Sequence, residues 1–465
     1  MNLNQTLQEK YPHLEVSVFS YSKVKEHLIF GSEFNSNTRE NAIQSIISNK
    51  NVNDYFELIN TNVSTLKEFV YMYDLTHSLG NFMIDVEPTQ EIGSNKKEAI
   101  KGDFVISRLR SYLKEMAVIQ SKNFKQLLST EYLVYRPKTN LLSSNTLLAF
   151  SLSRIVQTIL NYSQYGTEHP RFYEFVFNEM PIPKCLLLMN TEIDSIMNKA
   201  YEVLEQSKIF YKKAEETLYL ELGLDPKNPL QSLLDSKTNN PTNSLNISIR
   251  TLKESFLKTG RLDSEYYQSK YEDIEKFIKS YPNGYDSFSS IINNKDTNFT
   301  PKNNENYSYI ELANIGNNGN ISEPISDLGK KLPTRARRIV SKGDVIISSI
   351  EGSLSSCALI TQEFDKHLVS TGFFVLNSKL LNGETLLVMF KSQIFQEYLK
   401  KFPSGTILCA INKEELSKIL IPTIDPTIQE KIAKYIQESF NLRKKSKQLL
   451  DNAKIKVEEQ IQGNK

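Results

Sequence analysis

Lys101-Gly102-Asp103-Phe104-Val105-Ile106-Ser107 returns as Lys342-Gly343-Asp344-Val345-Ile346-Ile347-Ser348, 241 positions later, counting from Lys101 to Lys342. Leu128-Ser129-Thr130 returns as Val369-Ser370-Thr371 at the same spacing. Gly166-Thr167 and Ile182-Pro183 return as Gly405-Thr406 and Ile421-Pro422 at a spacing of 239. A chain written twice folds as two copies of one unit. Each copy closes with a long helical segment, so the repeat predicts two globular lobes held apart by two helices. That is the plan of a measuring device rather than of a catalyst.

Within each copy the first part reads as strands. Phe104-Val105-Ile106, Tyr132-Leu133-Val134-Tyr135, Val345-Ile346-Ile347 and Phe373-Phe374-Val375-Leu376 are β-branched and aromatic runs between Gly, Asn, Ser and Pro. Amphipathic helices are expected from Leu147 to Tyr162 and from Thr385 to Phe402. A sustained heptad follows, through Ile193, Met197, Ala200, Leu204, Ser207, Tyr211, Ala214 and Leu218 in the first copy. In the second it runs through Ile428, Ile432, Tyr435, Ser439, Leu442, Ser446, Leu449 and Ala453. Small residues recur in register, so close approach of two backbones is expected.

Leu222-Gly223 before Asp225-Pro226 marks the end of the first helix, because Gly tolerates the left-handed position after a helix and Pro cannot continue it. Asp425-Pro426 marks the start of the second. The predicted class is α+β: two homologous strand-rich lobes, 1–185 and 246–425, separated by two long antiparallel coiled-coil helices, 186–225 and 426–462. Residues 226–245 form the linker, and the whole is a pseudo-two-fold internal repeat.

The 465 residues suffice for two or three cores. No apolar run approaches the roughly 20 residues of a membrane helix, and Met1-Asn2-Leu3-Asn4-Gln5 does not open a basic then apolar leader, so a cytoplasmic location without membrane contact is expected. Cys185, Cys357 and Cys409 lack CxxC spacing, which argues against a disulfide framework or a cysteine-rich zinc site. A net charge of +2 is weak for a solitary nucleic-acid binder. It suits a protein that reads bases locally while partners supply phosphate contacts.

Catalytic signatures are missing. The chain has no GxxxxGK[ST], no GxGxxG after a strand, no HExxH and no Asn-Pro-Pro-aromatic motif of the amino-methyltransferases. His13, His27, His77, His169 and His367 are scattered, and Glu215-Glu216 and Glu414-Glu415 sit in helical context, where solvated faces are the usual explanation.

Binding chemistry is better placed. After the Lys-Gly-Asp strand, copy one continues Ser107-Arg108-Leu109-Arg110-Ser111-Tyr112, and copy two continues Ser348-Ser349-Ile350-Glu351-Gly352-Ser353. Arg108, Arg110 and Tyr112 against Ser349, Glu351 and Ser353 is the contrast expected of two modules reading different bases. Arg forks onto guanine O6 and N7, while Ser and acidic groups suit other base edges. Unconstrained surface loops are the alternative.

Lys331, Arg335, Arg337 and Arg338, in the run Lys330 to Arg338, are candidates to lie along phosphates; a solvated loop is the alternative. Their counterpart, Asn95-Lys96-Lys97-Glu98, is weaker. The turn Gly166 to Arg171 adds Thr167, His169 and Arg171, with Thr406 in the second copy.

On these residues the sequence resembles the specificity (S) subunit of type I restriction-modification systems. The shared marks are the Lys-Gly-Asp strands, the Gly-Thr turns, the Ile-Pro exits and Arg261-Leu262-Asp263-Ser264-Glu265-Tyr266-Tyr267, echoed by Ser32-Glu33-Phe34. The resemblance covers essentially the whole chain. It implies that each lobe is a target recognition domain binding half of a split sequence in the major groove of double-stranded DNA.

The helices would then set the gap and dock two modification (methyltransferase) subunits, which carry S-adenosylmethionine. Restriction/translocase subunits would join them. The chain itself would have no catalysis and no cofactor. A methylation-only or other phage-defence complex, a non-DNA coiled-coil adaptor, and an enzyme with an unseen nuclease site are the competing readings. Tyr11 to Val63 aligns poorly with the second copy, which leaves the first lobe's N-terminal boundary the weakest part of the match.

Overall fold

The computed structural model describes residues 3–14, 16, 18–25, 27–235, 249–316, 318–405 and 409–463. They form two compact units, Met1–Leu204 with Lys444–Lys465, and Glu205–Arg443. No helix among them is long and apolar enough to cross a membrane.

The first unit is built around Phe104–Ser107, a strand buried at every position. Side chains alternate across a strand, so a continuous apolar run needs cover on both faces. Phe104 and Ile106 enter the core beneath the helices, while Val105 enters a separate core with Tyr73, Ala117 and Val134. This strand pairs antiparallel with Tyr132–Pro137 on one side and Met116–Val118 on the other. Phe56–Ile59 completes a four-stranded sheet.

The second unit repeats this sheet as Ile292–Asn294, Phe373–Ser378, Val345–Ser348 and Cys357–Leu359. Phe104 pairs with Tyr135 and Ser107 with Tyr132. Val345 pairs with Leu376 and Ser348 with Phe373, so the register is the same residue for residue.

Each unit has a second sheet whose three shared strands match. Val70–Tyr73 runs parallel to Lys125–Ser129, which is antiparallel to Lys96–Ala99. Asn306–Ile310, Leu368–Ser370 and Ala336–Ile339 repeat that arrangement. The fourth strand differs. Asn62–Val63 flanks Lys96–Ala99 in the first unit, whereas Ile325–Leu328 flanks Asn306–Ile310 in the second.

The repeated Lys-Gly-Asp motif is a turn that feeds the central strand. Gly102 and Gly343 have φ of +90° and +88°, which an L side chain rarely adopts. Asp103, 1% exposed, accepts from the Ile100 backbone N–H and from Arg136 Nε and Nη2, each at 2.8 Å. Asp344 accepts from the Ser341 N–H, Lys295 and Asn377. A buried carboxylate needs such partners.

The two long amphipathic helices expected at Leu147–Tyr162 and Thr385–Phe402 are each two helices. Ser144–Ser151 is followed by Arg154–Asn161, and Gly383–Lys391 by Gln393–Leu399. Ser153 and Ser392 adopt extended ψ near 149° and 148° and restart the chain as N-caps, with Ser392 accepting from the Phe395 N–H. The hydrophobic period continues across each break, so the pattern alone does not reveal it.

The long helices are Lys184–Glu221 and Pro426–Gly463, 38 residues each. The first stops at Gly223, φ +76°, where the Leu224 N–H bonds back to the Tyr219 carbonyl. In the first unit Ile193, Met197 and Tyr201 share a core with Leu450, Ala453, Val457 and Ile461. There Ser446 Oγ donates to the Ala200 carbonyl at 2.8 Å. In the second unit Tyr211, Ala214 and Leu218 share a core with Ile432 and Ile436, and Ser439 Oγ donates to the Ser207 carbonyl at 2.8 Å. Within each unit the helices run antiparallel.

The seam of the second helix departs from the expected heptad. Ile432, Ser439, Ser446 and Ala453 are buried and Ile428 and Tyr435 pack half-buried against the core, but Ile436 and Leu450 are buried more deeply than the expected Tyr435 and Leu449. At 3.6 residues per turn, i+3 and i+4 both reach a seam, and packing decides between adjacent apolar residues. The expected linker also begins with a helix, Pro229–Asp235, whose Leu233 is buried in the second unit's core. Residues 236–248 lie outside the described residues.

Candidate nucleic-acid interface

In the first unit three segments converge where the central strand ends. The Arg108 N–H donates to the Glu131 carbonyl at 3.0 Å, the Phe172 N–H to the Arg108 carbonyl at 3.1 Å, and the Arg110 N–H to the Pro170 carbonyl at 2.8 Å. These bonds bring the Arg108–Arg110 segment, the turn at Glu131 and the Gly166–Arg171 loop together. Gly166, φ +86°, turns the chain back, so that Gln164–Tyr165 and Arg171–Phe172 form a short hairpin.

Glu131 stands at the centre. Arg171 donates to it through Nη2 at 2.7 Å and through Nε, and Arg108 Nη2 approaches at 3.4 Å. The Arg171 hydrogen bond holds the Glu131 carboxyl below its ordinary range against the opposing effect of burial. The same bond raises the Arg171 pKa. Arg110 Nη2 lies 3.0 Å from His169 Nδ1. Arginine offers only donors, so the imidazole nitrogen accepts. Arg171 Nη1 also donates to the His169 carbonyl at 3.1 Å.

Arg108, Arg110, His169 and Arg171 are therefore one cluster. Thr167 is exposed on the same loop, and Tyr112, 55% exposed, sits on the following 3₁₀ turn, Ser111–Leu113. Sequence reasoning missed Glu131. Its signal was available: the matched strands place Glu131 opposite Gly372, a charge in one copy where the other has none.

The second unit has the same backbone frame. The Ser349 N–H donates to the Gly372 carbonyl at 2.9 Å, the Ile411 N–H to the Ser349 carbonyl at 2.8 Å, and the Glu351 N–H to the Cys409 carbonyl at 3.0 Å. The side chains differ completely: Ser349, Gly372 and Ala410 stand where the first unit has Arg108, Glu131 and Arg171. Ser349 Oγ donates to the Gly372 carbonyl, and Ser353 Oγ is 2.8 Å from Ser348 Oγ. Glu351 is exposed, and its carboxylate raises the Cys409 thiol pKa. Thr406 lies outside the described residues.

The basic run divides. The Arg335 carbonyl accepts from the Thr371 N–H, which places this exposed residue beside the Gly372 joint. Lys331 is exposed and 3.4 Å from Asp327, and Arg337 Nε donates to the Thr334 carbonyl. Arg338 is turned inward. Its Nη1 donates to the Phe373 carbonyl, and burial lowers its pKa. At the equivalent position, buried Lys97 donates to the Tyr132 carbonyl, and burial lowers its pKa too. Both copies thus keep a cation here that donates to a carbonyl at a strand end.

Residues 287–452 match the family described as "Type I restriction modification DNA specificity domain". The specificity subunit of the type I restriction enzyme HindI from Haemophilus influenzae is 28% identical over 129 residues, or 27% of this chain. The match spans 28% of that relative's length. Among solved structures, the type I restriction-modification S subunit from M. genitalium aligns over 90% of this chain and 96% of its own, at 11% identity and a TM-score of 0.41. The HsdS subunit from Thermoanaerobacter tengcongensis aligns over 87% and 95%, at 14% identity and a TM-score of 0.27.

Proposed function

We propose, from the premise that this chain belongs to the type I restriction-modification specificity family, that each lobe reads one half of a split duplex sequence and that the chain presents this DNA to catalytic subunits. The observation that carries the reading is the exchange at the strand ends. Three backbone hydrogen bonds are kept between the lobes while Arg108, Glu131 and Arg171 become Ser349, Gly372 and Ala410. A purely structural loop has no reason to keep the frame and discard every side chain. A recognition loop does, because the frame sets position and the side chains set sequence.

The target is then bipartite and asymmetric. Residues 1–185 and 246–425 act as the target recognition domains. Helices of 38 residues, about 57 Å at 1.5 Å per residue, are long enough to space two half-sites about one helical turn apart. Two methyltransferase subunits carrying S-adenosylmethionine supply the methylation, and restriction/translocase subunits supply cleavage. This chain works in the cytoplasm and contributes recognition alone.

Methylation mapping of host DNA with and without the gene tests this. One interrupted, non-palindromic motif should lose its methylation; a palindromic or uninterrupted motif, or no change, counts against the reading. Inserting one heptad into each long helix should lengthen the gap and leave both half-sites unaltered.

A further inference from the structure

We infer that Arg110 is the guanine-reading side chain of the first lobe and that Glu131 is the positioning residue behind that role. The inference rests on the DNA-reading function proposed above. Three guanidinium groups reach the cluster, but they are not equivalent. Arg171 forks onto the Glu131 carboxylate through Nη2 and Nε, while Arg108 reaches it with Nη2 alone at 3.4 Å and has its Nε buried inside the protein, away from any ligand. A guanidinium forked onto a carboxylate cannot offer the same pair of N–H groups to O6 and N7 of guanine. Among the described residues, the side-chain hydrogen bond of Arg110 goes to the neutral acceptor His169 Nδ1, which leaves the rest of its fork for a ligand.

The backbone points the same way. Arg110 has φ 49° and ψ 59°, a left-handed conformation that glycine adopts without strain and arginine does not. It is pinned there by its N–H to the Pro170 carbonyl and by the Leu113 N–H to its own carbonyl, each at 2.8 Å. Strain held from both sides keeps a preorganised side chain in place. The second lobe supplies the comparison. Where Arg110 gives way to Glu351, the whole clamp goes with it, and Ser349, Gly372 and Ala410 replace Arg108, Glu131 and Arg171. The clamp accompanies the reading arginine and is absent without it.

The test is selection of duplexes from a random pool by the full-length chain, alone and in the complex it forms in its host. The wild type should select guanine at one position of the first half-site. Arg110→Ala should lose that preference by about tenfold or more, with every other position unchanged. Arg110→Gly should lose it equally while raising the melting temperature, because glycine relieves the strain. Glu131→Gln should weaken the preference at the same base while strengthening binding to random duplex, with a steeper salt dependence as two cations are released. Glu131→Asp should restore it in part.

Uniform weakening across sequences by Arg110→Ala, loss of the base through Arg108→Ala instead, or a Glu131→Gln effect confined to melting temperature would each overturn the inference alone. A wild-type chain and complex that select no sequence would overturn the DNA-reading function and this inference with it.

Discussion

The Lys97 ammonium lies 2.9 Å from the Tyr132 carbonyl oxygen, in a site where the lysine is only 8% exposed. Arg338 and Phe373 repeat the contact in the second lobe. Burial would drive both cations toward the neutral form, and it lowers the pKa of each. Lys97→Ala should cost about 1 to 3 kcal/mol in urea denaturation, because a buried carbonyl loses its donor. Arg338→Gln should leave the salt dependence of DNA binding unchanged. A shallower slope would return Arg338 to the phosphate contacts.

The Asp103 carboxylate is more demanding. It accepts from Arg136 at 2.8 Å and also caps the turn through the Ile100 N–H. Asp103→Ala should destabilise the chain by about 1 to 3 kcal/mol, since the turn loses the acceptor of its Ile100 N–H. Arg136→Ala should cost at least as much, because it leaves the buried Asp103 carboxylate without its counter-ion, whereas the partly exposed Arg136 can turn to water when Asp103 is removed. Chemical denaturation of the two variants side by side measures the difference.

Burial lifts the Glu215 carboxyl from its ordinary 4.5 to about 7, while Lys391 and Lys212 pull it down and Glu216 pushes it up. Tyr211 and Arg443 are also buried nearby, Arg443 donating to Asn320. The folded state therefore holds a proton that the unfolded chain has released. The stabilisation is full below about pH 4.5 and is lost as pH rises through about 7, on the order of 3 kcal/mol across the window. Glu215→Gln should flatten that part of the stability profile. Parallel profiles for variant and wild type between about pH 4.5 and 7 would show that Glu215 does not titrate there.

Ser446 is buried in the seam of the first unit, with its hydroxyl on the Ala200 carbonyl. The backbone approach leaves no room for a branched side chain. Ser446→Leu should cost about 1 to 3 kcal/mol by overpacking, and Ser446→Ala about 1 kcal/mol for the lost hydrogen bond. Thermal melts rank the two. A Leu variant as stable as wild type would mean that the helices part locally.

What could be read from the chain alone was whatever repeats or recurs at short range. The Lys-Gly-Asp turns, the doubled central strands, the helix stop at Gly223 and the start at Asp425 are local chemistry, and duplication made them visible twice. Arg108 and Arg110 were legible as an exchange between copies, and His169 and Arg171 as members of the turn that Gly166 opens. Tertiary structure decided the rest. It broke each expected helix at Ser153 and Ser392, where the hydrophobic period runs on unchanged. It buried Ile436 and Leu450 more deeply than Tyr435 and Leu449, because a 3.6-residue turn lets either neighbour face the seam. It set Glu131 between two arginines 23 and 40 residues away, and turned Lys97 and Arg338 inward. Such partnerships depend on which segments meet in space, and periodicity along one chain carries no record of that.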